Sequence, residues 1–263
     1  MKQTLHTALN EAAKILLKNF GEITGYTVKE SQSSIVTQAD VDSENRIMAI
    51  IAERFPGHNL LGEETGFQDK GSEFTWVVDP IDGTSNFAAG IPWFGIIICL
   101  LKNFKPYMAG CYLPVQNQLY FAEQGKGATL NQNPVSVSKE VELKNILMSY
   151  SLDYSDKPGK TEQEAKTIQL LVENIRNLRS TNCLVDFCYT ADGKLGASAN
   201  QTTKIWDIAG PVLLIEEAGG VATDLQGNSF DFSVTQTNYD RNFEIVAANK
   251  VLHSELIKLL NRE

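Results

Sequence analysis

Residues 76–87, Trp-Val-Val-Asp-Pro-Ile-Asp-Gly-Thr-Ser-Asn-Phe, limit the folds open to this chain more than any other stretch. Trp76, Val77 and Val78 form an apolar, β-forming run that ends at Asp79. Pro80 closes the run. Asp82 follows three positions after Asp79, and Gly83-Thr84-Ser85 then suits a tight turn and a helix start. Two carboxylates and several free backbone N–H groups therefore crowd one small space. Carboxylates bind hard cations, and N–H groups at a helix start bind anions. A site of this kind holds metal ions and a phosphate together. Taken alone, Asp-Pro-x-Asp-Gly also reads as a surface turn, because Asp, Pro and Gly are common turn formers. The strand before it argues otherwise, since buried strands often end at functional sites.

The rest of the chain supplies layers for such a strand. Leu5, Leu9, Ala12, Ala13, Leu16, Leu17 and Phe20 recur at helical spacing over 5–20, and Gly21 is a stop signal. A second helix is expected over 41–55, with Ile47, Ile50, Ile51 and Phe55 on one face and Pro56-Gly57 ending it. The polar segment 22–39 reads as extended or loop-like. Stretches 74–78, 94–101, 107–113 and 118–121 are short, apolar and rich in β-formers, and their tight separators suggest an antiparallel meander. Helical spacing returns over 161–175, 183–191 and 207–218; 243–247 reads as a strand and 250–261 as a closing helix. Helices, a run of strands and then alternating elements indicate a layered α+β architecture. One unit over 1–263 is expected, with an α+β half over about 1–140 and an α/β half over about 141–263.

The formal net charge of −9 and the lack of a basic stripe argue against a nucleic-acid surface. The acidity leaves an anionic substrate open, because bound divalent cations invert the local sign. Cys99, Cys111, Cys183 and Cys188 show no C-x-x-C spacing and are expected as buried free thiols. Residues 1–20 are amphipathic and lack a signal-peptide core, and the longest apolar run, 96–101, is far too short to span a bilayer. A cytoplasmic protein with no membrane and no nucleic-acid partner is expected.

Two further segments matter. Gly62-Glu63-Glu64-Thr65-Gly66 follows Asn59-Leu60-Leu61, a short strand candidate; alone it reads as an acidic turn. In Trp206-Asp207-Ile208-Ala209-Gly210-Pro211, Asp207 reads as the N-cap of an apolar helix that Gly219-Gly220 closes. Together with 76–87, and with Val36-Thr37-Gln38-Ala39-Asp40 upstream, these segments resemble the inositol monophosphatase family in order and spacing. That family lies within the metal-dependent, lithium-sensitive sugar phosphatases, and the resemblance covers nearly the whole chain. It implies a layered αβαβα sandwich of the fructose-1,6-bisphosphatase-like type, and a homodimer. The implied activity is Mg²⁺-dependent hydrolysis of inositol monophosphate or a related small phosphate ester by metal-activated water.

The resemblance also implies roles for residues. Glu63, Asp79 and the Ile81 carbonyl would hold one Mg²⁺; Asp79, Asp82 and Asp207 would hold a second, with Asp79 bridging. Backbone N–H groups of Gly83 and Thr84 would receive the phosphate, with Ser85 beside them. Glu63 and the Thr84 hydroxyl would activate the water, and Asp40 would support Thr84 and, through water, a weaker third ion. The uncatalysed reaction demands on the order of 20 kcal/mol of catalysis, and two cations that neutralise the phosphate and acidify water are a route to it. His6, His58 and His253 lie outside every motif and read as surface or packing residues.

Two departures from the family pattern touch the leaving group. Where the family carries Gly-Ser/Thr-Ala after an Arg-Ser pair, this chain has Thr181-Asn182-Cys183 after Arg179-Ser180. Where inositol-specific members carry a Glu six residues before Trp-Asp, it has Asn200, expected at the substrate with Asp207. Fructose-1,6-bisphosphatase, NADP phosphatase and 3′-phosphoadenosine phosphate phosphatase activities therefore stay open, as does a non-catalytic protein-binding scaffold. A haloacid-dehalogenase-type phosphatase also uses two aspartates before Gly-Thr. There one residue separates them and the first becomes an aspartyl phosphate; here Pro80 and Ile81 intervene.

Overall fold

Strand 74–82 has apolar side chains on both of its faces, and so it must be covered twice. The structure, a computed structural model, describes residues 1–22, 25–29, 31–32, 34–154 and 157–261. Its elements begin with α1 (Lys2–Asn19), β1 (Thr27–Val28), β2 (Ile35–Val36), α2 (Gln38–Arg54), β3 (Asn59–Gly62), β4 (Gly66–Gln68), β5 (Phe74–Asp82) and α3 (Thr84–Ala88). There follow β6 (Gly95–Lys102), β7 (Lys105–Leu113), β8 (Gln118–Glu123), β9 (Ala128–Leu130), β10 (Asn133–Pro134), β11 (Leu147–Ser151) and α4 (Lys160–Asn174). The chain closes through β12 (Asn177–Arg179), α5 (Val185–Ala191), β13 (Ala197–Thr203), α6 (Ile205–Glu217), β14 (Gly220–Thr223), β15 (Phe243–Asn249) and α7 (Lys250–Leu260).

These elements stack as an αβαβα sandwich. An eight-stranded sheet runs β10-β9-β8-β7-β6-β5-β3-β4, and a five-stranded sheet runs β12-β11-β13-β15-β14. Trp76, Val78, Ile96, Ile98 and Leu100 face α1 and α2 in one core. Val77, Ile97, Cys99 and Leu101, one position out of phase, face α5 and α6 in another. This period-two split is what a sheet buried on both sides requires. The second sheet packs Ala222, Ile245 and Ala247 onto the same middle layer. Its other side, with Met148, Tyr150, Ala197, Ala199, Val246 and Ala248, lies under α4 and α7.

The expected meander is present: β5, β6, β7 and β8 pair antiparallel in sequence order. Several boundaries differ for physical reasons. The first helix covers Lys2–Asn19, but Leu17 is 47% exposed and lies off its buried face. The second starts at Gln38, not 41, because Thr37 and Asp40 form a capping box. The strand read as ending near Asp79 continues to Asp82 through a register shift between those two residues. Pro80, which cannot donate to a ladder, falls inside that shift. Segment 22–39 contains a short antiparallel β1–β2 pair, and four of its residues, 23, 24, 30 and 33, lie outside the described set. All four cysteines are buried free thiols, as expected. The histidines pack: His58 stacks between Phe55 and Phe74, His6 lies against Phe121, and His253 bonds Thr223. No helix among the described residues is long and apolar enough to cross a membrane.

Helix α6 fills the middle layer, and its Gly210 lies so close to β6 that an added Cβ would sit 2.7 Å from Ile97 Cγ2. Gly210→Ala should therefore wedge the layers apart and cost about 1–3 kcal/mol in a urea titration. Gly57→Ala, where nothing lies within 4 Å of the added carbon, should change stability by less than about 1 kcal/mol. Equal stability of the two variants would contradict the close approach.

Candidate active site

The carboxylates singled out in the sequence converge because β3 and β5 run parallel, with Gly62 beside Val78. The Glu63 N–H then donates to the Val78 carbonyl (3.2 Å), which fixes Glu63 beside the start of the Asp79–Asp82 register shift. Gly62 is required here. An added Cβ would lie 2.4 Å from Glu44 Oε1, and Glu44 accepts the N–H groups of Glu64 (3.0 Å) and Thr65 (2.8 Å). Buried Glu44 thus shapes the turn that presents Glu63.

Asp79 is buried, and its Oδ1 accepts the Ile81 N–H at 3.0 Å. The Asp82 carboxylate accepts the backbone N–H of Leu184, from just before α5. Asp207 is not the helix N-cap expected from the sequence. Lys204 takes that position, and Asp207 is the third residue of α6, its Oδ2 accepting the Lys204 N–H at 2.6 Å. Pro211, inside the helix, cannot donate to the Asp207 carbonyl four residues back. The carboxyl groups of Asp79 and Asp207 share a hydrogen bond across the site.

Gly83 has φ +95°, and a Cβ there would lie 2.9 Å from both Cys183 Cβ and the Trp93 carbonyl. Glycine is therefore needed both for its left-handed backbone and for space. Helix α3 follows at once. The Thr84 hydroxyl lies 3.0 Å from Asp40 Oδ1 and 2.9 Å from the Ile81 carbonyl, with one proton to give. Asp40 is fully buried, and its Oδ2 accepts the Thr37 N–H (2.7 Å) and hydroxyl (2.6 Å).

Glu63, Asp79, Ile81, Asp82, Gly83, Thr84, Ser85, Asn200 and Asp207 all line one cavity of about 740 Å³. Asp40 stands behind Thr84 and does not line it. Asn182 and Cys183, from the departure at 181–183, line it too, and residues not singled out in the sequence complete the walls: Lys29, Ser151, Asp153, Lys160 and Lys204. Lys29 donates to Glu63 Oε1 at 2.8 Å and to Glu64. Nothing local marks Lys29, because its partners lie more than thirty residues away in sequence. Glu44 did carry a signal: Asp40, Glu44, Ile47 and Ile51 share one helix face, and an acidic residue in an apolar stripe calls for a buried partner.

Burial and mutual repulsion dominate the electrostatics. Burial, and then Glu63, Asp82 and Asp207, push Asp79 well above the usual carboxylate range; burial and Asp207 do the same to Asp82. Glu63 is pushed up to about 8, chiefly by burial, against the pull of Lys29. Asp207 is pushed up to about 6, again by burial. Burial alone would lower Lys29, but Glu63 and Glu64 reverse this and raise it. Among the described residues no three His, Cys, Asp or Glu side chains close into a ready-made ligand set, and Glu63 is turned to the Lys29 ammonium. The donors nevertheless suit a hard cation: the lining residues offer carboxylates, with no histidine among them. Lys29 already places a positive charge on Glu63, as a divalent ion would.

Comparison with known proteins agrees with this geometry. The model of the inositol monophosphatase family matches residues 1–263. The chain is 30% identical to a fructose-1,6-bisphosphatase/inositol-1-monophosphatase of Aquifex aeolicus, over 95% of this chain and 90% of that protein. It is 31% identical to an inositol-1-monophosphatase of Caulobacter vibrioides, over 96% and 98% of the two chains. The crystal structure of extragenic suppressor protein suhB from Bartonella henselae superposes with a TM-score of 0.90 at 26% identity, covering 99% and 98%.

The raised carboxyls give the metal-free protein a pH signature. Glu63 rises from 4.5 to about 8 on folding and Asp207 from 3.8 to about 6, so the folded state binds more protons than the unfolded chain. Stability then falls as pH rises through this window. His6, His58 and His253 have lowered pKa values and act oppositely, but only near and below their ordinary 6.5. Between pH 6.5 and 8, Tm in chelator should fall for the wild type and fall less for Glu63→Gln. Parallel profiles would contradict the assignment.

Proposed function

This chain belongs to the inositol monophosphatase family, and from that premise we propose that it is a Mg²⁺-dependent phosphomonoesterase acting on inositol monophosphate or a related small phosphate ester. The observation that carries the reading is the gathering of Glu63, Asp79, Asp82 and Asp207 around one cavity beside the Thr84–Asp40 pair. Glu63, Asp79, Asp82, Asp207 and the Ile81 carbonyl would hold two Mg²⁺, with Asp79 shared, and Asp40 would reach a weaker third through water. Bound there, the cations neutralise the phosphate and lower the pKa of an attacking water.

The chain's own groups do the rest. Gly83 and Thr84 offer backbone N–H groups to the phosphate oxygens. Ser85 adds a hydroxyl at the same wall of the cavity. Asp40 and the Ile81 carbonyl hold the Thr84 hydroxyl, so Thr84 can accept a proton from water only by passing its own on. Glu63, in the cavity beside Thr84, is the general base. Water attacks phosphorus directly, and the alcohol leaves past Asn200 and Asp207. No phosphoenzyme forms.

Asp82→Asn should lower kcat at least a thousandfold with an unchanged far-UV spectrum, measured as phosphate release from a panel of inositol, fructose and nucleotide phosphates in Mg²⁺. Near-normal turnover would overturn the metal assignment, and no release from any ester by the wild type would favour a non-catalytic scaffold. Millimolar Li⁺ should inhibit.

A further inference from the structure

Asn200 is a weak substitute for a hydroxyl-accepting carboxylate. Its Oδ1 already accepts the Thr202 N–H at 2.8 Å, which leaves the amide NH₂ as its main offer to the cavity. A carboxylate lining the same cavity follows just past the end of the neighbouring strand. Ser151, the last residue of β11, is the register partner of Asn200 in the parallel β11–β13 pair. Asp153 lies two residues beyond Ser151 and lines the same cavity.

Asp153 is held in place rather than neutralised. Asn182 Nδ2 donates to its Oδ1 at 3.1 Å. Asn182 sits in a left-handed turn at φ +53°. That turn is tied down on one side by Asn86 Nδ2, which donates to the Thr181 carbonyl at 2.8 Å. On the other side the Ser151 hydroxyl donates to buried Asp186 at 3.0 Å, and Asp186 also holds the Thr181 and Asn182 N–H groups. Among the described residues Asp153 makes no ion pair within 4 Å. The nearby Lys160 ammonium is already bonded to Thr202 and lies 3.7 Å from buried Glu164. An oriented carboxylate, bonded to a neutral amide and lining the cavity, is an acceptor waiting for a hydroxyl.

We propose that Asp153, positioned by Asn182, is the specificity-determining acceptor for a hydroxyl of the alcohol, with the Asn200 amide as a donor beside it. Donor and acceptor together select a polyhydroxylated ring over a bare one. The departures at 181–183 and 200 then belong to one rearrangement: the carboxylate moves from β13 to the end of β11, and Asn182 steadies it. This inference rests on the phosphomonoesterase reading.

The test compares kcat/KM for inositol 1-phosphate with that for cyclohexyl phosphate, which has the same ring without the other hydroxyls. In the wild type the ratio should exceed one. Asp153→Asn and Asp153→Ala should lower the ratio about tenfold or more, mainly through KM for inositol 1-phosphate. Asn182→Ala, a milder change should the first two fold poorly, should lower it partway. A ratio unchanged within twofold, including a parallel loss on both esters, would mean that Asp153 only holds the loop and would overturn the inference. A wild type that prefers neither ester, or that cleaves neither while releasing phosphate from other esters, would overturn this inference alone; one that releases phosphate from no ester would take the phosphomonoesterase reading down with it.

Discussion

Glu63, Asp79, Asp82 and Asp207 repel one another in a place that water reaches poorly, and the architecture of the protein makes sense only around that repulsion. Burying like charges is costly unless they are paired or protonated. The raised carboxyl groups show the second remedy at work in the metal-free protein, and the Lys29–Glu63 contact supplies part of the first. A divalent cation answers both, because its charge replaces protons and ammonium alike. Instability of this kind is common at functional sites, where local strain is offset by the surrounding fold.

That surrounding fold is stiff where it must be. Strand β5 is covered on both faces, so the Asp79–Asp82 segment is anchored by two separate cores. Helix α6 brings Asp207 from the far end of the chain and is locked to β6 at Gly210. Glu44 shapes the Glu63 turn, and Asp40 ties the cap of α2 to Thr84. The Glu63 turn and the Thr84 hydroxyl are thus each held by a buried carboxylate outside the cavity. The cavity wall at 79–84 continues a paired strand, whereas the wall at 181–183 is a loop stapled by side chains.

The legible parts of the sequence were those written locally. The continuous apolar runs of β5 and β6 predicted strands, and both faces of each are buried. The Asp-Pro-Ile-Asp-Gly-Thr block predicted a strand end, a tight turn and a helix start, and the turn falls at Gly83 with φ +95°. Less legible were features decided at long range. Asp207 was read as an N-cap because an aspartate before an apolar helix usually is one, yet Lys204 takes that place and leaves the carboxylate to the cavity. Lys29 and Asp153 carry no local mark, since their meaning depends on Glu63 and Asn182, which are distant in sequence. Leu17 fits the helical period of 5–20 but lies exposed, because a period alone does not tell how wide the covered face is.

Proton release on metal binding tests the buried-carboxylate cluster most directly. Titration of the chelator-treated protein with Mg²⁺ at pH 7.0, by calorimetry in buffers of different ionisation enthalpy, counts the protons displaced. The expected result is saturable binding with net release of protons to the buffer, reduced in Glu63→Gln. Binding with no proton exchange, or no saturable binding at all, would contradict the view that a cation and protons compete for one set of carboxylates.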